Sequence, residues 1–284
     1  MNSTLRTTLW LITDVFRQAL ASSSGWLMLG AIVVGGGLSL GLDPRTSGSP
    51  TSQGANSGSL HTLLGVWLPQ TVGIVLAVFL TAGLLPTFLE PRNALVVLVK
   101  PGSRQRLVWA RAAGTVLYVG GGSAIYFVAT WIVLGIRTGE WPVRYFTAWF
   151  LFVVQFAACY SFSTMLATAT RSAGACLIGA TLFWILCFLV NLGRHAVAAF
   201  QPAQLTGASR RLIEICYWVL PRPCDGLLLA HDGLHPEPLS AQLELFRRLS
   251  DLGEPWPTGF FVTTVVFTLV TIAAAAYELE TRDY

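Results

Sequence analysis

The sequence predicts an all-α integral membrane protein that forms a single transmembrane domain, 1–284, with six transmembrane helices. Hydrophobic residues make up 54% of the 284 residues and charged residues only 11%. Soluble domains usually contain about 25% charged residues, so this composition indicates lipid as the main solvent. A helix needs about 20 apolar residues to cross a bilayer. Segments that meet this requirement or come close to it, all without a charged residue, lie near 25–42, 62–87, 112–136, 145–169, 173–192 and 258–277.

The first 24 residues are predicted to form an amphipathic helix before the first span. An apolar stripe at helical spacing comprises Leu5, Leu9, Ile12, Phe16 and Leu20. The charged residues lie off this stripe, as expected for a helix with one apolar face. Because these charges are scattered through the segment, it does not have the pattern of a signal peptide. We therefore expect 1–24 to lie in the headgroup layer as an interfacial helix.

The distribution of Arg and Lys predicts the orientation of the chain. Cations are concentrated in the N-terminal segment, in 88–111, in the turn 170–172 and in the C-terminal tail. Cytoplasmic loops carry an excess of such residues, so both termini and the 88–111 hairpin are expected in the cytoplasm. The segment 193–257 then forms an extracytoplasmic loop, since long loops are translocated largely regardless of their charge.

Two pieces of this outer loop are apolar enough to form short helices. The piece "SAQLELFRRLSDL" has leucines along one side and predicts a short amphipathic helix. The piece "SRRLIEICYWVLPRPCDGLLLA" is interrupted by Glu214, Arg222 and Asp225. Charged groups at membrane depth are costly, so a re-entrant or interfacial segment is expected here and not a seventh span.

The cysteines and histidines of this loop give no strong indication of a disulfide or a metal site. Cys216 and Cys224 are close enough in sequence to form a disulfide in an oxidising compartment, but nothing requires one. His231 and His235 are four residues apart, a spacing that could bind a metal on a helix. Because Gly233 and the proline after His235 disfavour a helix, we expect solvated loop histidines and no metal site.

The segment from Phe88 to Arg111, "FLEPRNALVVLVKPGSRQRLVWAR", contains an apolar run, 94–99, that is far too short to span a membrane. This run lies between two proline turns and is fringed by cations. Such a run predicts a helix of about two turns that docks into a groove on another protein, with the charges setting its register. Simple anchoring of the arginines at the membrane surface is the alternative interpretation.

Here the chain resembles the membrane subunit of type-2 ATP-binding-cassette (ABC) transporters. The resemblance rests on the span order, on "SFSTMLATATRSAGACLIGATLFW" at the fourth-to-fifth span turn, on the tail "YELETRDY", and on the hairpin. In that family the hairpin is the coupling helix that docks on the ATPase subunit. The resemblance implies coupling roles for Glu90, Arg92, Leu95, Leu98, Pro101, Ser103 and Arg104. This chain reads "EPRNALVVL" where the family often has E-R-x-x-G-T-L.

The resemblance also implies the partners and the location. Hydrolysis of ATP needs a glycine-rich loop that ends in Lys-Ser or Lys-Thr, whereas Lys100, the only lysine, precedes a proline. ATP and magnesium would therefore bind to a separate ABC ATPase subunit, and this chain would carry no cofactor. A second permease copy, identical or different, would complete the transporter in the cell inner membrane. Nothing in the composition resembles a nucleic-acid-binding tail.

The spans contain few polar residues that could line a pathway. Buried polar groups in lipid are costly and often functional, although amides also join helices by hydrogen bonds. The best candidates for a lining role are Gln70, Gln155 and Asn191. The spans show no catalytic constellation, so an enzyme is not expected. A membrane scaffold that docks a cytoplasmic partner without transport is the alternative function.

Overall fold

The computed structural model describes 3–21, 63–89, 104–200, 207–234 and 256–281, together with four isolated positions between 30 and 37. Regular structure within these ranges is helical throughout, with no strand. In chain order the helices are α1 (Ser3–Ala21), α2 (Leu63–Phe88), α3 (Arg104–Thr138), α4 (Tyr145–Thr170), α5 (Ala173–Phe200), α6 (Gly207–Val219), α7 (Pro223–Leu234) and α8 (Trp256–Thr281).

Five of these helices are long and apolar enough to cross a membrane, which makes the chain a multi-pass membrane protein. They are α2, α3, α4, α5 and α8. Each overlaps one of the predicted spans. The first predicted span, 25–42, lies outside the described residues except at those isolated positions.

Helix α2 is irregular because prolines remove backbone donors from it. Its first part forms two π-helical stretches, Leu63–Trp67 and Pro69–Gly73. The α-helical part is interrupted at Ala82, whose carbonyl has no donor four residues later because that residue is Pro86. The helix ends at Phe88, two residues after Pro86, as the sequence predicted.

Hydrogen bonds identify two ends of the bundle. At the proximal end, Arg111 of α3 binds Asp14 of α1, and Gln105 of α3 donates to Glu280 of α8. At the distal end, the Tyr126 hydroxyl donates to the Leu64 carbonyl 2.9 Å away. Helices α6 and α7 follow the end of α5 and also lie at the distal end. Asp14 of α1 and the end of α8 therefore lie at the same end of the bundle.

Buried apolar residues form one cluster toward each end. The proximal cluster joins α1 to the spans and includes Leu11, Val15, Phe88, Val108 and Leu279. The distal cluster brings α7 against the start of α4 and of α8 and includes Phe127, Tyr145, Leu151, Leu227 and Phe260. Helices α1 and α7 are thus part of the packed core, although neither is among the spans.

At the proximal end, α1 packs on the protein through Leu11, Val15 and Ala19, whereas Leu9 and Leu20 of the predicted stripe are exposed. The interfacial role of α1 stays a prediction. The hairpin was predicted to extend to Arg111, but α3 already begins at Arg104. Arg111 lies inside α3 and is only 2% exposed, because α1 covers it and supplies its counter-ion.

Candidate functional site: a buried polar cluster at the distal end

The predicted outer loop contains two packed helices, α6 and α7, whose lengths of 13 and 12 residues are too short for a span. Nearly every residue in the first eight of α7 is buried, because this helix packs against α4, α5 and α8. A re-entrant or interfacial segment was expected here, and α7 is inserted among the distal ends of the spans. The piece predicted as an amphipathic helix, 240–252, lies outside the described ranges.

The start of α7 is built from sequence signals that favour a helix N-terminus. Pro223 occupies the first helical position, where its missing N–H costs nothing, and Asp225 lies in the first turn. The Asp225 N–H has no acceptor within its own helix. The side chain of Asn191 on α5 accepts this hydrogen bond at 3.0 Å. One amide of α5 therefore caps the buried end of α7.

The carboxylate of Asp225 is the centre of the cluster and is fully buried. One of its oxygens, Oδ1, lies 2.6 Å from Nε2 of His195 and accepts from Nδ2 of Asn191 at 3.1 Å. The other oxygen, Oδ2, accepts from the hydroxyl of Tyr217 at 3.1 Å. Because an ionised carboxylate only accepts hydrogen bonds, His195 carries its proton on Nε2. Three helices, α5, α6 and α7, are joined through this single group.

Arg222 supplies the positive charge beside Asp225 and is 2% exposed. Its Nη1 lies 3.9 Å from Oδ2 of Asp225 and donates to the Tyr217 hydroxyl at 3.0 Å. Its guanidinium also stacks over the ring of Tyr217, 3.8 Å from the centroid. Buried charges are stable only when paired and hydrogen-bonded. The cluster therefore depends on both members of the ion pair.

Burial changes the acidity of two groups beside the carboxylate. Desolvation raises the pKa of the Tyr217 phenol above its ordinary value, and the Asp225 charge adds to this rise. Desolvation and the same charge raise the pKa of the Cys224 thiol to about 12. Both groups are therefore protonated at neutral pH, so the Cys224 thiol is a poor nucleophile. Cys224 and Cys216 are free thiols in this structure, so the possible disulfide is not formed.

Two glycines let the cluster approach α4 and α8 closely. A Cβ at Gly226 would lie 2.7 Å from the Phe260 ring and 3.3 Å from Oε1 of Gln155. A Cβ at Gly259 would collide with the guanidinium of Arg222. A Cβ at either position would therefore force the Phe260 ring or the Arg222 guanidinium to move.

Gln155 borders the cluster and is 2% exposed. Neither its Nε2 nor its Oε1 has a hydrogen-bond partner in the described part of the chain. A buried amide without partners costs free energy, on the order of 1–3 kcal/mol. Gln155 is therefore available to a polar group that enters between α4 and α7.

The other predicted lining residues also lie inside the bundle, at 1% exposure each. Gln70 donates to the Ala148 carbonyl at 3.1 Å and so ties α2 to α4. Asn191 caps α7 as described above. Both amides therefore have a structural task, and their lining role stays a prediction.

Of the predicted coupling residues, only Arg104 lies in the described part of the chain, where it begins α3. The others fall outside it: Glu90, Arg92, Leu95, Leu98, Pro101 and Ser103. Their coupling role stays a prediction. The described helix ends on either side, Phe88 and Arg104, both belong to the proximal end.

A second ion pair holds α1 against the bundle near that segment. Arg111 binds the carboxylate of Asp14 and donates to Oε1 of Gln18 at 2.7 Å. Its guanidinium stacks over the Phe88 ring, 3.7 Å from the centroid. The last turn of α2, the first turns of α3 and the interior of α1 thus meet at one buried cation.

Sequence reasoning missed most of the distal cluster. His195, Arg222 and Asp225 were predicted only as part of the extracytoplasmic loop, the last two in its re-entrant or interfacial segment, and all three are buried. The interpretation of His231 as a solvated loop residue was wrong, since it is 3% exposed on α7. One available signal was the Pro-x-Asp pattern at Pro223, which is typical of a helix start. Nothing in the sequence indicates that His195 and Asn191 of α5 contact this helix start.

Compared with known proteins, the chain matches no protein-family model, and no curated protein resembles it at significant sequence similarity.

Proposed function

We propose that the protein is the membrane-spanning permease subunit of an ABC exporter. The observation that carries this proposal is the arrangement of its two ends. The segment with the predicted coupling residues connects two helices that meet at the proximal end, while a packed helical pair covers the distal end. A transporter of this kind needs a docking element on one side and a closable exit on the other.

The topology supports six crossings with both termini in the cytoplasm. Asp14 of α1 lies at the proximal end and Leu64 of α2 at the distal end. In this proposal the first predicted span, 25–42, joins the two ends, and it is apolar enough to do so. The cation-rich proximal end then faces the cytoplasm by the positive-inside rule.

In this mechanism an ATPase subunit docks on 88–104 and moves the proximal ends of α2 and α3. Because Arg111 links these two helices to α1, the three elements move together. The helices α6 and α7 act as the lid on the exit side and are held shut by Asp225. Gln155, the buried amide beside α7, supports a polar step on the pathway that opens when α7 moves.

A pull-down from detergent-solubilised membranes tests the proposal. We compare the intact protein with Arg92→Glu/Arg104→Glu at the proximal end. The matched control, Arg137→Glu/Arg144→Glu, carries the same change of charge at the distal end. An ATP-hydrolysing partner should co-purify with the intact protein and the control, and should be lost from the first variant.

Two other results would contradict parts of the proposal. An ATPase that stays bound to Arg92→Glu/Arg104→Glu would remove the coupling role from these arginines. If no ATPase co-purifies with the intact protein, the transporter proposal fails. A scaffold that docks a different cytoplasmic partner would then be the function to pursue.

A further inference from the structure

Helix α6 has an exposed apolar side that no described part of the chain covers. On the inner side, Tyr217 is 4% exposed and is held in the distal cluster. Four large apolar residues on another side recur at helical spacing and are all more than half exposed. We call them the α6 strip: Leu212 at 62%, Ile215 at 61%, Trp218 at 56% and Val219 at 60%.

A third side of α6 is polar. Arg210 and Glu214, four residues apart, are exposed along it. Glu214 accepts from the Trp218 indole at 3.0 Å and pairs with Arg194 of α5 at 3.4 Å. The helix therefore has a protein side, an apolar exposed side and a polar exposed side. A helix that lies at a membrane surface beside a protein needs these three sides.

The position of α6 agrees with this division. Helix α5 ends at Phe200, and α6 begins at Gly207 and packs against α5. Trp218 on the strip is of the residue type enriched at membrane–water interfaces. Arg211 of α6 is exposed and supplies a cation that lipid phosphates would attract.

We propose that the α6 strip binds the phospholipid surface of the leaflet at the distal end. The strip would lie about 5–10 Å below the headgroups, with Arg211 near the phosphates. A second copy of the chain fits the strip less well, since a stable protein interface takes about 20–30 residues on each side. This inference does not depend on transport, because it needs only that α5 crosses the membrane.

Photo-crosslinking tests the proposal. The full chain carries benzoylphenylalanine at position 215, or at 212 as a second strip position, and is reconstituted into phosphatidylcholine–phosphatidylglycerol bilayers. The matched control carries it at position 210 on the polar side of the same helix. Irradiation followed by mass spectrometry should show phospholipid adducts about tenfold more abundant at the strip than at the control.

Other outcomes would overturn the proposal. A covalent dimer of the chain at 212 and 215 would show that a second copy covers the strip. A second outcome is that lipid adducts are equally abundant at the strip and at the control position. If buried Cys224 is still protected from alkylation, which shows that the protein is folded, this result would show that α6 does not lie on the membrane.

The Arg211→Gln variant tests the contact of this cation with lipid. The share of phosphatidylglycerol among the adducts should fall about twofold or more in this variant. An unchanged share would remove Arg211 from the lipid contact.

Discussion

Replacing Asp225 with asparagine should open the distal end of the bundle. The side chain keeps its size but loses the charge that balances Arg222, which is 2% exposed. Asparagine retains one acceptor oxygen, and its NH2 group faces donors where Asp225 accepted hydrogen bonds from His195, Asn191 and Tyr217. Removing one partner of a buried ion pair costs about 3–5 kcal/mol. The cost falls on the attachment of α7, because its neighbours hold it through this carboxylate.

Alkylation of Cys224 measures that attachment directly. This thiol adjoins Asp225 and is 2% exposed, so a maleimide reaches it only when α7 opens. At 1.4 kcal/mol per factor of ten, the expected loss raises the open population between about 100-fold and a few thousand-fold. The alkylation rate of Cys224 in Asp225→Asn should rise by this factor. The partly exposed Cys216 provides an internal reference in the same molecule.

Two variants separate opening from other effects. Asp232→Asn makes the same change on the same helix at a side chain that is 45% exposed, and it should leave the Cys224 rate unchanged. Tyr217→Phe keeps the carboxylate and removes hydrogen bonds to Asp225 and Arg222. It should cost about 1–3 kcal/mol and give an intermediate rate. A rise of less than about threefold in Asp225→Asn would refute a lid held by this ion pair.

Three further predictions concern other parts of the structure. Gly226→Ala should destabilise the protein by about 1–3 kcal/mol in thermal unfolding, because its Cβ would lie 2.7 Å from an aromatic ring of α8. The control is Gly233→Ala on the same helix, whose Cβ meets no atom within 4 Å and which should be neutral or stabilising. The buried Cys224 thiol has a pKa raised from about 9 to about 12, so the folded state holds its proton and stability falls as pH rises through this interval; Cys224→Ala should make the alkaline loss shallower. Arg111→Met should free α1 and speed tryptic cleavage within it, since Asp14 then has no buried cation to bind; an unchanged cleavage rate would show that apolar packing alone holds α1.

The spans were predictable because lipid imposes a simple requirement on composition. Prediction and structure agree closely for α4, at 145–169 against Tyr145–Thr170, and for α2, at 62–87 against Leu63–Phe88. Agreement is poorer where a helix continues beyond its apolar part. Helix α3 begins at Arg104, eight residues before the predicted start of its span at 112, because another helix supplies the counter-charge for Arg111.

The distal cluster was not predictable for a different reason. A charged residue in a long polar loop gives the same sequence signal whether it is solvated or buried. The burial of Asp225 depends on His195 and Asn191 of α5, which lie 30 and 34 residues earlier in the chain. Such pairs follow from tertiary packing, which a period of 3.6 residues does not encode. Prolines and aspartate at the start of α7 indicate a local helix and say nothing about its partners.

Two ion pairs, each with a buried arginine, divide the molecule into a frame and two attached elements. The frame is formed by the spans, whose apolar contacts run continuously through each half of the bundle. One pair fastens α1 to the frame at the proximal end, and the other fastens α6 and α7 at the distal end. Buried pairs contribute little net stability but are costly to break one-sidedly. They therefore favour an attachment that is either fully made or fully open over one that loosens gradually. For the proposed exporter, such all-or-none attachment at both ends suits a cycle in which the docking side and the exit side change state in turn.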